Sequence, residues 1–317
     1  MKTVERSFRL EAQAGLGAKP RPELLGPVLT HLRDTLQDSV RMGFLHASHA
    51  RGRIPGSIKA AADIRYLGHS ADGEGATLLR FEVAPFGEVA ADLFSQAQLW
   101  EDGPQPDQTA FELLAATLED VGSRSTDSNR FDPSMLRRIG SYRKLFGKDG
   151  LTSIVLPDVT LHKSGHLDAS VVQSARDMAH TTPHARRVRV AGRLDLMGAS
   201  QGVLKLHVNS GAVVTGIWEG EGALDQFAAL FNKDVVCEGI GVFRLSGSLL
   251  RIDADALAPA TANDDFFRHA PIAHAKVDLF RTARLGQREA SAYAGFLASI
   301  PAEESDEEFA SAVDALS

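Results

Sequence analysis

The chain has 317 residues, of which 44% are hydrophobic and 24% charged, and its formal net charge is −7. These values are typical of a globular protein and count against a protein whose whole surface binds a polyanion. The single cysteine excludes an intrachain disulfide and any zinc site built mainly from cysteines. No apolar run approaches the roughly 20 residues that span a bilayer, and the first residues are too charged for a signal peptide. We therefore expect a cytoplasmic protein with no membrane partner.

The first 180 residues alternate between strand and helix patterns. The spacing of apolar residues predicts a strand at 6–12, a helix at about 22–46, strands at 58–68 and 76–84, helices at about 108–121, 133–146 and 168–180, and one or two strands within 152–162. This part of the chain is therefore predicted to be an α+β domain. Its first 85 residues have the order β-α-β-β, and its role cannot be inferred from the pattern.

After Pro183 the pattern changes to short strands broken by glycines. Five strands are predicted, at 187–197, 203–208, 212–218, 234–244 and 249–255, with a helix at 223–231 between the third and the fourth. This order, over about 187–257, resembles the OB-fold, a five-stranded barrel. The resemblance rests on pattern and carries no signature motif. It implies that a single strand of nucleic acid would lie across the second and third strands, beside loops 197–202 and 245–248.

The predicted fold class is therefore α+β, in three parts. Residues 1–180 form the β-α-β-β module with extra helices, 181–260 the OB-like β-barrel, and 261–317 a helical, acidic C-terminal extension. Residues 303–314 of this extension hold six acidic residues and no basic one. Such a run is typical of an interaction tail, so a basic protein surface is a candidate partner for it.

Two segments are basic despite the negative total. Counting Lys and Arg only, residues 186–207 hold five basic residues against one acid, and residues 130–149 hold six against two. The candidate phosphate contacts are Arg187, Arg189, Arg193 and Lys205 on the barrel, and Arg137, Arg138 and Lys144 on helix 133–146. Trp218, at the end of the third strand, is the aromatic candidate. The alternative is that the barrel arginines keep its strands soluble, and that the helix is a solvated face or pairs with the acidic tail.

No motif predicts a reaction. GASQG (198–202) matches Gly-x-Ser-x-Gly, but a strand follows Ser200 where a nucleophile elbow needs a helix. SYRK (141–144) lacks the companion motifs of Ser-x-x-Lys enzymes, and GSYRKLFGK (140–148) has the wrong glycine spacing for a phosphate loop. His162 with His166, and His180 with His184, share no regular element that would make a metal site. We therefore predict no cofactor, no metal and no catalytic residue.

Two functions remain open at this point. The first is a non-catalytic protein that binds single-stranded nucleic acid through the arginine-rich strands of the barrel. The second is a protein-interaction component, an adaptor or neutralising partner in a larger complex, without direct contact to nucleic acid. An enzyme built on the N-terminal domain is a third hypothesis, for which the sequence names no set of residues.

Overall fold

The computed structural model describes residues 2–13, 17, 19–49, 54–91, 94, 103–156, 165–198, 202–209, 211–220 and 224–274. These residues all belong to one compact unit, Met1–Ala275. Most of the predicted C-terminal extension, from residue 275 onward, lies outside the described residues. The proposed divisions near residues 180 and 260 stay predictions. Among the described helices, none is long and apolar enough to span a bilayer.

The first part of the chain contains a five-stranded antiparallel sheet with the strand order β2-β3-β1-β4-β5. Its strands are β1 (Val4–Ala12), β2 (Ile64–Ala71), β3 (Thr77–Val83), β4 (Leu151–Leu156) and β5 (Gly165–Asp168). The predicted β-α-β-β order holds, but the strand predicted at 58–68 begins only at Ile64. The preceding residues form a short helix, α2 (Gly56–Ala61), because Pro55 precedes a run that includes the good helix formers Lys59 and Ala60.

Longer helices share one apolar core with this sheet. They are α1 (Pro22–Leu45), α4 (Ala110–Gly122), α5 (Pro133–Ser141) and α6 (Ala169–Thr181), with the short α3 (Phe86–Val89) between β3 and α4. Side chains that accept hydrogen bonds from the first free N–H groups fix three helix starts, at Thr109, Asp132 and Asp168. The helix predicted over 133–146 ends at Ser141 and continues as a 3-10 turn, Tyr142–Lys144.

The second part is a closed five-stranded barrel. Its strands are β6 (Arg186–Gly198), β7 (Val203–His207), β8 (Val213–Trp218), β9 (Asp234–Phe243) and β10 (Leu249–Pro259). The order β10-β8-β7-β6-β9 closes through the antiparallel β9–β10 pair, and the parallel β8–β10 pair makes the barrel mixed. A 3-10 helix, Leu224–Leu230, separates β8 from β9. The α+β fold class is confirmed, and the barrel is consistent with the predicted OB-like pattern.

Apolar and polar contacts join the barrel to the helices. Met42 of α1 packs with Val242 and Leu250 of the barrel. Beside this cluster, the buried guanidinium of Arg251 lies 3.1 Å from Oδ2 of the buried Asp132, the N-cap residue of α5. These contacts attach the barrel to α1 and to the start of α5.

Candidate binding cleft

A cleft of about 720 Å³ lies where the barrel meets the helices. One wall is the face of β7 and β8, which contributes Lys205, Val213 and Thr215, together with Arg244 and Leu250 from the ends of β9 and β10. The other wall comes from α1, α4 and the loops at 103–108 and 125–130. This volume falls within the roughly 300–1,000 Å³ range of small-ligand sites.

The cleft surface combines aliphatic side chains with hydroxyl and amide groups. Met42, Leu113 and Leu250 supply the apolar contacts, while Ser39, Gln108 and Thr215 are among the neutral polar groups. No Phe, Tyr or Trp is among the described residues that line it. A ligand here would be held by hydrogen bonds, charge and aliphatic contact, since the aromatic rings that stack on bases are missing.

Hydrogen bonds join the two walls at one place. They connect loop 125–130 with the barrel turn from Arg244 to Ser248, and we name these two segments together the clasp. The backbone N–H of Ser246 donates to the carbonyl of Thr126 at 3.0 Å, and the Ser248 hydroxyl donates to Asp127 at 2.9 Å. Hydrogen bonds from Ser246 and then Ser248 lower the pKa of Asp127, which therefore stays ionised. The clasp fixes the position of the barrel turn that borders the cleft.

Charged groups on the two walls are arranged differently. On the helical wall, Arg130 lies 2.9 Å from Asp120, and Glu112 lies 2.7 Å from Arg6. On the barrel wall, Lys205 and Arg244 are half-buried, and desolvation lowers the pKa of both groups. Lys205 and Arg244 are thus the cations of the barrel wall, and the ionised Asp127 lies on the opposite wall.

The predicted barrel arginines lie elsewhere and contact acidic or polar neighbours. Arg187 lies 2.8 Å from Asp255, and Arg189 lies 3.2 Å from Glu238 and 3.0 Å from Asp264. The guanidinium of Arg193 donates to Asn232, 2.7 Å from Nε. Among the described residues that line the cleft, Lys205 is the only one of the predicted contacts. The acids that face Arg187 and Arg189 offset part of the positive charge that residues 186–207 carry in sequence.

The remaining predicted contacts also lie outside the cleft. On α5, Arg138 lies 2.9 Å from Asp38, while Arg137 is exposed and donates to the hydroxyl of Ser134. Lys144 is exposed in the 3-10 turn that follows α5. Trp218 is half-buried and packs edge-on against Phe227, with ring centroids 4.9 Å apart. Whether any of these residues touches a ligand stays a prediction.

His46, which ends α1 in the left-handed conformation (φ 54°), borders the cleft. Burial, and then the charges of Lys205, Arg251 and Arg244, lower its pKa from 6.5 to about 4. The folded protein thus keeps the ring neutral down to about pH 4, whereas the unfolded chain binds a proton from about pH 6.5 downward. Unfolding takes up a proton between these values, so stability falls as the pH drops through this window.

We predict that the free energy of unfolding drops by about 2 kcal/mol more in the wild type than in His46→Asn between about pH 7.5 and pH 5. Asparagine suits the left-handed conformation and does not titrate, which makes it the matched variant. Urea unfolding at the two pH values measures the difference. An equal drop in both proteins would show that the folded state does not lower the pKa of His46.

Within the described ranges, no group of three or more His, Cys, Asp or Glu side chains is arranged to hold a metal ion. His162 and Ser200, considered above for a metal site and a nucleophile elbow, lie outside those ranges. Comparison with protein-family models, with curated proteins and with solved structures finds no match to this chain.

Proposed function

We propose that this protein is a non-catalytic binding protein whose OB-like barrel holds single-stranded nucleic acid in the cleft. One observation carries the proposal: Lys205 of β7, Val213 and Thr215 of β8, and Arg244 at the start of the turn between β9 and β10 all line the cleft. These residues lie on the second and third strands and in the loop between the fourth and fifth strands, which OB-like barrels use to bind extended oligomers. The cytoplasmic location expected from the sequence belongs to the same proposal.

The contacts in this proposal differ from those predicted by charge in the sequence. Lys205 keeps its role because it lines the cleft, and Arg244 joins it. Arg187 and Arg189 lose importance because carboxylates already contact them. Without aromatic stacking, worth roughly 1–3 kcal/mol per base, we expect modest affinity that depends strongly on salt.

The alternative function, a protein-interaction component, also has an observation in its favour. Phe266 and Ile272, which follow the barrel, are 86% and 71% exposed. Exposed apolar side chains of this size are a feature of protein-binding surfaces when they form a patch. Under this alternative the acidic tail would meet a basic partner, and the cleft would take an extended peptide segment.

We predict that labelled single-stranded DNA or RNA binds the wild-type protein and that Lys205→Gln weakens binding about tenfold. The reason is that one charge-assisted phosphate contact is lost, which corresponds to about 1.4 kcal/mol. Fluorescence anisotropy across a salt series measures the affinity, and the slope of log K against log salt should fall by about one for the lost contact. The matched control is Arg187→Gln/Arg189→Gln, which removes two exposed cations outside the cleft and should change the affinity less than about threefold.

Two outcomes count against the proposal. If the Arg187/Arg189 variant loses binding while Lys205→Gln keeps it, the nucleic acid lies on the arginine-rich strand and not in the cleft. If no binding occurs even at low salt, the protein-interaction alternative is favoured. The next experiment is then the capture of protein partners by the full-length protein, with a tail-truncated protein as the control.

A further inference from the structure

Arg244 differs from the other arginines of this region in what holds its guanidinium. Nε and Nη2 donate to Oδ1 of Asn129, with Nε at 3.1 Å, and Nη1 donates to the Ser248 hydroxyl at 3.2 Å and to the carbonyl of Leu249. All of these acceptors are neutral. Within the described residues no carboxylate forms a salt bridge with Arg244, whereas Arg130 and Arg251 each pair with an aspartate.

This arrangement leaves a half-buried positive charge without a direct counter-charge. Burial disfavours the charged form of Arg244, and the carboxylate of Asp127, which acts only from a distance, offsets part of that cost. Water and neutral dipoles stabilise a cation less well than a bound anion does in a partly desolvated site. An anionic group that enters the cleft would therefore gain a charge-assisted hydrogen bond at little reorganisation cost.

The guanidinium is also oriented in advance. A guanidinium has five N–H donors, and the hydrogen bonds to Asn129, Ser248 and Leu249 use four of them. These bonds fix the orientation of the guanidinium plane. One N–H of Nη2 remains for a ligand. Ser125 and Thr215 line the same cleft and offer hydroxyl groups to further oxygens of that ligand.

We propose that Arg244 is the anion-recognition residue of the cleft, that it binds a phosphate group of a nucleotide, and that Asn129 positions it. The inference rests on the proposed function, since it names the group through which the same cleft recognises its ligand. Phosphate suits the site because the neighbouring hydroxyls can donate to its several oxygens while the arginine supplies the charge. A carboxylate of an acidic peptide would use the same N–H, and the experiment separates the two.

Isothermal titration calorimetry with uridine 5′-monophosphate, uridine and N-acetylglutamate tests this inference on the full-length protein. We expect the monophosphate to bind wild type at least about tenfold more tightly than uridine or N-acetylglutamate. In Arg244→Gln this preference should disappear. In Asn129→Ala, where the charge remains but loses its orientation, it should fall without vanishing. Arg187→Gln, which removes an exposed arginine outside the cleft that pairs with Asp255, should keep it.

A second measurement needs no variant and so does not depend on how well a variant folds. The ¹⁵Nε NMR signal of Arg244 in the wild type should shift when uridine 5′-monophosphate is added and stay in place when uridine is added. No binding of the monophosphate at millimolar concentration, equal binding of the monophosphate and uridine, tighter binding of N-acetylglutamate, or an unmoved Arg244 signal would each overturn the inference.

The inference and the proposed function fail separately. If oligonucleotides bind and respond to Lys205→Gln but not to Arg244→Gln, the proposed function stands and the role of Arg244 is wrong. If the monophosphate binds through Arg244 but no oligonucleotide binds, the anion site stands, and the protein binds a mononucleotide or another small phosphate in place of a nucleic-acid strand.

Discussion

Arg251→Met is expected to lower the free energy of unfolding by about 3–5 kcal/mol. The side chains of Arg251 and Asp132 are almost completely buried, since the two residues are 6% and 3% exposed. Methionine keeps much of the aliphatic stem but removes the charge, so the Asp132 carboxylate would lose its counter-charge in a site that water does not reach. Breaking one side of a buried ion pair costs more than the pair itself contributes.

The surrounding hydrogen bonds raise this cost further. Arg251 also donates to the carbonyl of His46 at 2.9 Å and to Asp253 at 2.7 Å, so its loss leaves further acceptors without their donor. Burial alone would raise the pKa of Asp132, but the Arg251 charge, the Ser48 hydroxyl and backbone N–H groups together lower it. Because Asp132 caps α5 as well, damage at this point reaches both the barrel and the helices.

Equilibrium unfolding in urea measures the effect, with Arg187→Met as the matched control. Arg187 pairs with Asp255 at a similar distance, 2.8 Å, but on the exposed surface, where removal of an ion pair changes stability by about 1 kcal/mol or less. A loss in Arg251→Met no larger than that in Arg187→Met would contradict the fixed attachment of the barrel to α1 and α5.

Gly239→Ala is the second large effect, with an expected loss of about 3 kcal/mol. Gly239 pairs with Ala254 across the β9–β10 ladder that closes the barrel. A Cβ atom at this position would lie 2.1 Å from the carbonyl oxygen of Asp253 and 2.8 Å from Cα of Ala254. Both are backbone atoms, so no side-chain rotation relieves the clash, and the two strands would have to separate.

Gly56→Ala is the control, because it makes the same chemical change at a position with room for the methyl group. Gly56 begins α2, and nothing lies within 4 Å of a Cβ atom built on it. Alanine there should leave the free energy of unfolding unchanged or raise it by up to roughly 0.5 kcal/mol, since glycine is the weaker helix former. Thermal or urea unfolding compares the two variants with wild type. A Gly239→Ala protein as stable as wild type would mean that β9 and β10 lie farther apart than they do in this structure.

Local patterns in the sequence were sufficient to predict the barrel. In Val188-Arg189-Val190 and in Leu204-Lys205-Leu206, buried apolar residues alternate with a basic residue. This pattern identifies strands, because successive side chains of a strand point to opposite faces. The start of β2 was predicted less well. Ile58 reads equally well as part of a strand or of a buried helical turn, and only packing decides between the two.

The cleft could not be predicted in the same way, because its parts come from distant positions. Arg244 and Asn129 are 115 residues apart in the chain, and Arg251 and Asp132 are 119 apart. Counting charges in a segment also misled, since the acids that face Arg187 (Asp255 and Glu238) lie outside residues 186–207. The polarity of loop 125–130 was visible in the sequence, but its partner turn in the barrel was not.

Ultraviolet crosslinking of a short oligouridylate to the full-length protein, read out by mass spectrometry of the adducts, tests the central claim most directly. If the cleft is the ligand site, adducts will fall on residues that line it, such as Gln105, Asn129, Lys205, Thr215 and Arg244, and an excess of unlabelled oligomer will remove them. Adducts confined to residues 186–193, or none at protein concentrations well above those of the anisotropy experiment, would contradict the claim that the barrel holds nucleic acid in the cleft.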